Sequence, residues 1–484
     1  MAHRKVVLCL LGATLAASLF SGGSGKKSDP VTVTVWTYYN GDQLDAFNDL
    51  TEKFNDTVGK KDGITVETKS LGTAEDLEQN VLAAVNGEVG ASEVPNIFSA
   101  YSDTAYTMDQ KDMLVDLSDY LTDKEKDEYV EEYLKEGDFS DDGSIKIFPV
   151  AKSTELLFLN DTDWQKFAKE TGAQYEDLQT VEGLVETAEK YYNWTDSQTP
   201  EADDGKALFG RDAMANYLLV GAKELGCDIF GVKDGKMTLN FDEDIIRKLW
   251  DNYYVPYVKG YFSAFGRFRS DDVKTGNVLG YVGSTSSATF FPTQVSDDSG
   301  AAYDIDLKVL PCPKFKDGDD YAVQQGAGMV VTKGSEDEIK ASIEFLKWFT
   351  QSENNIEFSV GSGYLPVTKE ANNIEKIKSV DSDISSSMEE ILTESEAEIN
   401  DNNLYYMHAF ENGNDARTVL QEAFGDTAQQ DRNTVDERIA QGESAEEAEA
   451  EFCEDPNKDK TRKEEAMKEY ELKYGCNPNQ KPAR

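Results

Sequence analysis

Histidine is almost missing from this chain: His3 and His408 are the two in 484 residues. A nucleophile activated by imidazole therefore has one candidate base beyond the first few residues, and no serine carries the flanking glycines of a nucleophile elbow. Phosphate-loop and zinc-ligand spacings are absent as well, so neither a cofactor nor a metal is expected. Basic residues are scarce, with 48 Lys and Arg against 93 Asp and Glu, a net charge of −45. Binding a nucleic-acid backbone needs clustered cations, so that partner is disfavoured. The acidity reads as a soluble, self-repelling surface. Long apolar runs are limited to residues 6–19, too short to span a bilayer comfortably. Cysteine is rare too, at Cys9, Cys227, Cys312, Cys453 and Cys476. The last four allow three pairings and match no metal motif. Cys453 and Cys476 each end a helical stretch. In an antiparallel hairpin their sulfurs would lie roughly 20 Å apart, beyond the ~7 Å between Cα atoms that a disulfide tolerates. Unpaired thiols are expected.

What is present suffices for two or three domains, since 39% of the residues are hydrophobic. Arg4 and Lys5, the apolar run 6–19, the small residues Ser21, Gly22 and Gly23, and a polar linker to residue 30 read as a secretory signal. Val31, Val33 and Val35 alternate with Thr32, Thr34 and Trp36, a half-buried strand. Leu44, Phe47, Leu50 and Phe54 follow at helical spacing. Residues 64–69 give a second strand, 77–85 a second helix and 94–100 a third strand. This order predicts a mainly parallel sheet flanked by helices. Ligands bind beyond the carboxyl ends of such strands, which puts Tyr38, Tyr39, Asn40, Tyr101, Ser102 and Asp103 at one mouth. The acidic turn with Asp317, Asp319 and Asp320 lacks full calcium-loop spacing and reads as a solvated turn.

The stretch 324–367 is the most informative. Gln324-Gln325-Gly326-Ala327-Gly328 leads into the short apolar run Met329-Val330-Val331, and Gly326 allows close approach of backbone or ligand. Ser335 and Glu338 form a capping box. Ile339, Ile343, Leu346 and Phe349 then lie on one helical face. Ser352 opens a second helix that Gly361 and Gly363 can stop with a left-handed turn. Tyr364 follows on a segment held extended by Pro366.

This order resembles the extracellular solute-binding proteins of ATP-binding-cassette (ABC) importers, in the branch that takes up sugars and glycerol phosphates. The resemblance runs in order over about residues 31–450. It is strongest at Gly361 to Pro366 and at segments similar to the family's interlobe crossings: Lys152-Ser153-Thr154-Glu155 before an apolar strand ending in Asn160, then Val278 to Thr285, then Gly326 to Val330. It implies an α/β fold of two lobes, each a mainly parallel sheet flanked by helices, joined by three crossings. Lobe 1 would comprise residues 31–152 and 284–327, lobe 2 residues 153–283 and 328–410, with 411–484 as C-terminal helices and a frayed end. The signal is similar to that of bacterial lipoproteins. Gly23 stands where the lipidated cysteine would be, which leaves either release by cleavage or an engineered change at that residue.

The resemblance also implies ligand contacts. Tyr364 would place a ring at the cleft, Ser153 and Glu155 would reach it from the first crossing, and Ser284 and Thr285 from the second. Arg417 matches the position of a phosphate-contacting arginine in glycerol-phosphate binders. Two departures speak against simple transfer: Ser102 stands where those relatives carry a glutamate, and Arg211 where they carry tryptophans. With 23 Tyr, 23 Phe and 5 Trp to stack on sugar faces, the expectation is a monomeric, non-enzymatic protein, secreted or held at a bacterial cell surface. It would close on a sugar or small oligosaccharide and deliver it to a membrane permease. Glycerol 3-phosphate or its phosphodiester is the competing ligand. A secreted carbohydrate-active enzyme and a non-transport glycan binder are the competing classes.

Overall fold

The computed structural model describes residues 30–233, 235–296 and 300–453. The expected secretory signal, the expected frayed tail and Cys476 lie outside the described residues. Cys227 and Cys312 are free thiols. No described helix is long and apolar enough to cross a membrane.

Strand β1 (Val31–Thr37) turns Val33 and Val35 into one apolar cluster and Trp36 into another. Both of its faces are covered near the end, so alternation gives way to a run of buried residues. It pairs in parallel with β2 (Ile64–Ser70) and β3 (Ile97–Ala100). Parallel pairing needs crossovers, which the helices Gly41–Phe54 and Ala74–Val85 supply. Phe47, Leu50 and Phe54 bury the predicted face of the first of these. The strand Gly328–Val331 completes this sheet, antiparallel to β3 with Met329 opposite Ser99. The second sheet runs in the order Leu307–Pro311, Glu155–Asn160, Val278–Ser284, Ala207–Arg211. It is mixed rather than mainly parallel, because Glu155–Asn160 runs antiparallel to both neighbours.

These ladders correct the expected division of the chain. Leu307–Pro311 stays with the second sheet, since it pairs with Glu155–Asn160. Residues 328–367 return to the first sheet through Gly328–Val331. A short apolar run carries no mark of its pairing partner, so the pattern alone did not separate the two assignments. Val282 to Thr285 is therefore not a passage between lobes. It runs beside the first passage, with Ser284 opposite Glu155 and the Thr285 N–H donating to the Thr154 carbonyl at 2.9 Å. The passages are at 150–155, at 323–328, and beyond Val367, where the chain continues to the helix Ser386–Asp401 that packs on Leu307–Pro311. The long helix Gly413–Ala440 packs on the second lobe against Met214–Glu224 and Tyr254–Val258.

Local signals in the returning segment are realised. The Ser335 hydroxyl accepts from the Glu338 N–H at 3.3 Å, and the Glu338 carboxylate accepts from the Ser335 N–H at 2.8 Å. Gly363, at φ +76°, closes the helix Ser352–Ser362, whereas Gly361 lies inside that helix. Gly326 has φ +92°, and a Cβ there would sit 3.0 Å from the Ala151 carbonyl oxygen. The two passages can run side by side because that atom is missing.

Lys152 is fully buried at this point. Its ammonium pairs with Glu136 and donates to the Gly326 carbonyl at 2.9 Å. Removing one member of a buried pair leaves a charge uncompensated, at a cost of about 3–5 kcal/mol. Lys152→Met should lower unfolding free energy by about that much in denaturant titration, and the double variant Lys152→Met/Glu136→Leu should recover most of it. A second expectation concerns pH. Burial pushes Glu224 and Glu398 up to about 7, against the opposing Phe315 N–H at Glu224 and Lys314 at Glu398. These carboxyls are more easily protonated folded than unfolded. Their contribution is present below the unfolded value and lost as pH rises from about 4.5 through about 7. Melting temperature should fall across that window, and Glu224→Gln/Glu398→Gln should flatten the fall.

Candidate functional site

Parallel pairing of β1 with β3 brings their carboxyl ends to one edge, where Tyr38 and Tyr101 follow the two strands. Their rings stack with centroids 6.0 Å apart and planes 15° apart. Tyr101 keeps 39% of its surface exposed, which makes it an open aromatic face. The Tyr38 hydroxyl lies 3.4 Å from that of Tyr364. Burial and the neighbouring phenols push Tyr38 upward, and the Tyr38 phenol does the same to Tyr101, so both stay neutral donors. Helix Ser102–Gln110 starts at this edge, and Asp103 in its first turn accepts the Asn414 N–H at 3.3 Å. Burial raises the pKa of Asp103. Arg417 stands one turn beyond Asn414 on Gly413–Ala440 and donates to the Asn216 side-chain carbonyl at 2.5 Å. Burial lowers its pKa.

These residues line a cleft of about 670 Å³. Its floor is formed by Ser153, Gln324, Gln325 and Gly326 from the first two passages, with Ser284 and Ser286 beside them. Tyr405, Tyr406 and Met407 form a further wall. The lining carries the carboxylates of Glu75, Glu78, Asp103, Glu136 and Asp415, and Arg417 is its one cation among the described residues. Burial and the Asp103 charge raise the pKa of Glu78. A larger cavity of about 790 Å³ shares Tyr405 and Tyr406 with the cleft. It contains none of the strand-end residues, so the smaller cleft is the candidate site.

Tyr38, Tyr101, Ser102, Asp103, Ser153, Ser284, Gly326, Tyr364 and Arg417 thus come together as expected from sequence. Five expected residues do not line the cleft. Tyr39 is 1% exposed: its ring lies 5.4 Å from that of Tyr38 but packs on Phe47 and Phe358 in the core. Asn40 is an exposed residue preceding the helix Gly41–Phe54. Thr285 is fully buried, its hydroxyl 3.4 Å from the Thr154 N–H. Arg211 and Glu155 are buried behind the wall and pair at 3.0 Å, with the guanidinium over the Tyr217 ring. Glu155 also accepts from the Asn216 amide at 2.7 Å. Tyr364 reaches the cleft by its edge; its ring stacks on Phe358 at 6.2 Å in the core.

Sequence reasoning missed Glu78, Glu136, Asn216, Gln324, Gln325, Tyr405 and Tyr406. The glutamines stood beside Gly326, and Tyr405-Tyr406 is an aromatic doublet like Tyr38-Tyr39, so signals existed for these. The carboxylates and Asn216 had none among so many similar residues.

Comparison with known proteins agrees with this architecture. The family described as bacterial extracellular solute-binding protein matches residues 49–383. Among solved structures, the cyclic alpha-maltosyl-1,6-maltose binding protein from Arthrobacter globiformis superposes with a TM-score of 0.63 at 16% identity, covering 91% of this chain and 99% of its own. UgpB from Mycobacterium tuberculosis, in complex with glycerophosphocholine, gives 0.61 at 20% identity, covering 85% and 100%. The maltose/maltodextrin-binding domain MalE from Bdellovibrio bacteriovorus, bound to maltotriose, gives 0.59 at 14%, covering 90% and 100%. No curated protein sequence matches the chain. With the profile spanning more than half of its length, the chain belongs to the bacterial extracellular solute-binding proteins, a family of binding proteins and not of enzymes.

Proposed function

We propose that the chain captures a neutral sugar, a small oligosaccharide, in this cleft by hinge closure and delivers it to the membrane permease of an ABC importer. The observation that carries this reading is the make-up of the lining: an open tyrosine face at Tyr101, further tyrosines at Tyr38, Tyr364, Tyr405 and Tyr406, and several carboxylates against the lone Arg417. Rings pack on the apolar C–H faces of a sugar, and carboxylates and amides accept or donate to its hydroxyls. A volume of about 670 Å³ lies within the range of ordinary small-molecule pockets. The named ligands of structurally similar proteins include maltotriose.

A second reading, a glycerol phosphodiester, is favoured by one observation. Arg417 is half-buried and has no carboxylate within ion-pair distance among the described residues. Guanidinium suits a phosphate as well as paired hydroxyls. Isothermal titration with neutral di- and trisaccharides, glycerol 3-phosphate and glycerophosphocholine separates the two. A neutral sugar should bind with an affinity nearly independent of salt, because no net charge is screened. Tight, salt-sensitive binding of a phosphate compound with no response to any neutral saccharide would reverse the assignment.

The tyrosines should divide by role. Tyr101→Ala should weaken sugar binding by about 1–2 kcal/mol with little change in melting temperature. Tyr364→Ala should mainly cost stability, about 3–5 kcal/mol by analogy with other large aromatic truncations. Tyr364→Phe should keep the fold and report on the hydroxyl alone. A Tyr101→Ala protein with full affinity would remove that ring from the site.

A further inference from the structure

We propose that Glu155 is a positioning residue: its carboxylate orients the Asn216 amide, and through that amide the guanidinium of Arg417 at the cleft. The proposal rests on the reading of the cleft as the ligand site and adds a residue that does not touch ligand. Glu155 opens the strand Glu155–Asn160 and is 3% exposed, so both of its oxygens need donors within the protein. Oε2 takes Nη1 of Arg211 at 3.0 Å. Oε1 takes Nδ2 of Asn216 at 2.7 Å, with Nε2 of Gln325 at 3.5 Å.

A carboxylate only accepts, and an amide has one donating and one accepting end. The NH2 of Asn216 must therefore face Glu155, and its carbonyl oxygen must face the other way. That oxygen receives Nη2 of Arg417 at 2.5 Å. The reversed amide would set oxygen against carboxylate and NH2 against guanidinium, two repulsions at once. Arg417 is otherwise a long side chain with no carboxylate within ion-pair distance among the described residues, and Asn216 is the hydrogen-bond partner that aims it. Arg211 holds the far oxygen of Glu155 and so keeps the near one directed at Asn216. The orientation of the lining's one cation is thus set from two residues behind the wall.

The effect can be read without knowing the sugar. In the full chain labelled with 15N-arginine, the Arg417 guanidinium, assigned by its loss in Arg417→Lys, should show separate, slowly rotating Nη signals. Glu155→Gln should average those signals, because a glutamine amide presents a donor to one of two donors and the Asn216 orientation is no longer enforced. Asn216→Ala leaves the Glu155–Arg211 pair in place and should loosen Arg417 equally, which covers the case where Glu155→Gln does not fold. Unchanged Arg417 signals in a folded Glu155→Gln or Asn216→Ala protein would overturn the proposal. With maltotriose as the titration probe, Glu155→Gln should cost about tenfold in affinity, the size of one hydrogen bond to a charged group. It should cost nothing further in an Arg417→Met background. Additive losses would show that Glu155 acts independently of Arg417 and would also overturn it. No heat from maltotriose with the unaltered chain would count against the sugar assignment alone, and the arginine signals would still decide the positioning role.

Discussion

The structure depends on how its backbone is satisfied where the lobes meet. A buried polar main chain must find partners, and here the first passage finds them on both sides. Lys152 exchanges backbone hydrogen bonds with Leu365, at 3.1 and 2.6 Å, and Ser153 with Gln325, at 3.0 and 2.9 Å. The first passage is thereby held between the second passage and the segment that carries Tyr364. This short ladder also assembles the cleft floor. Ser153, Gln325, Gly326 and Tyr364 are far apart in sequence, and they reach one place because their backbones pair there. The missing Cβ of Gly326 is what lets the segments approach to that spacing.

Two buried ion pairs flank the ladder, and they differ in what they specify. Lys152 with Glu136 ties the first lobe to the Gly326 carbonyl. Arg211 with Glu155 ties the second-lobe sheet to Asn216. Buried pairs are weak sources of net stability, since desolvation consumes most of their attraction. Their value here is directional. Each fixes which donor meets which acceptor at a point where a hydrophobic contact would accept several arrangements. Glu136 also takes the Gln324 amide at 2.6 Å, so one pair reaches directly into the floor.

Much of this was legible in the sequence. The valine alternation of residues 31–35, the helix faces after it and the Ser335/Glu338 capping box are local signals, and local signals need no knowledge of partners. The edge carrying Tyr38, Tyr101 and Asp103 followed from strand–helix–strand order alone. What failed was non-local. Tyr38 and Tyr39 lie past the end of β1 with rings 5.4 Å apart, so strand alternation does not say which of them lines the cleft; Phe358, on the helix Ser352–Ser362, takes Tyr39 into the core. Arg211 looked available because its partner Glu155 lies 56 residues away. Gly328–Val331 and Leu307–Pro311 are short strands whose sheet membership is set by pairing, and their residues would suit either sheet.

The charge of the site follows from the same packing. The chain is strongly acidic, and the cleft shares that character, its lining combining Glu75, Glu78 and Asp103 from the first lobe with Asp415 from the helix that carries Arg417. An anion entering must leave water and approach several carboxylates to gain one guanidinium, whose orbit is already limited by Asn216. The neutral polyol proposed above would meet no such opposition: the carboxylates would accept from its hydroxyls, and Arg417 would donate to them. Burial raises the pKa of Asp103 and Glu78, and hydroxyl donors delivered by a sugar would offset that desolvation by hydrogen-bonding their charged forms. A phosphate would oppose ionisation of the same two groups. The electrostatics of the lining and its open tyrosine face therefore support the same proposed class of ligand.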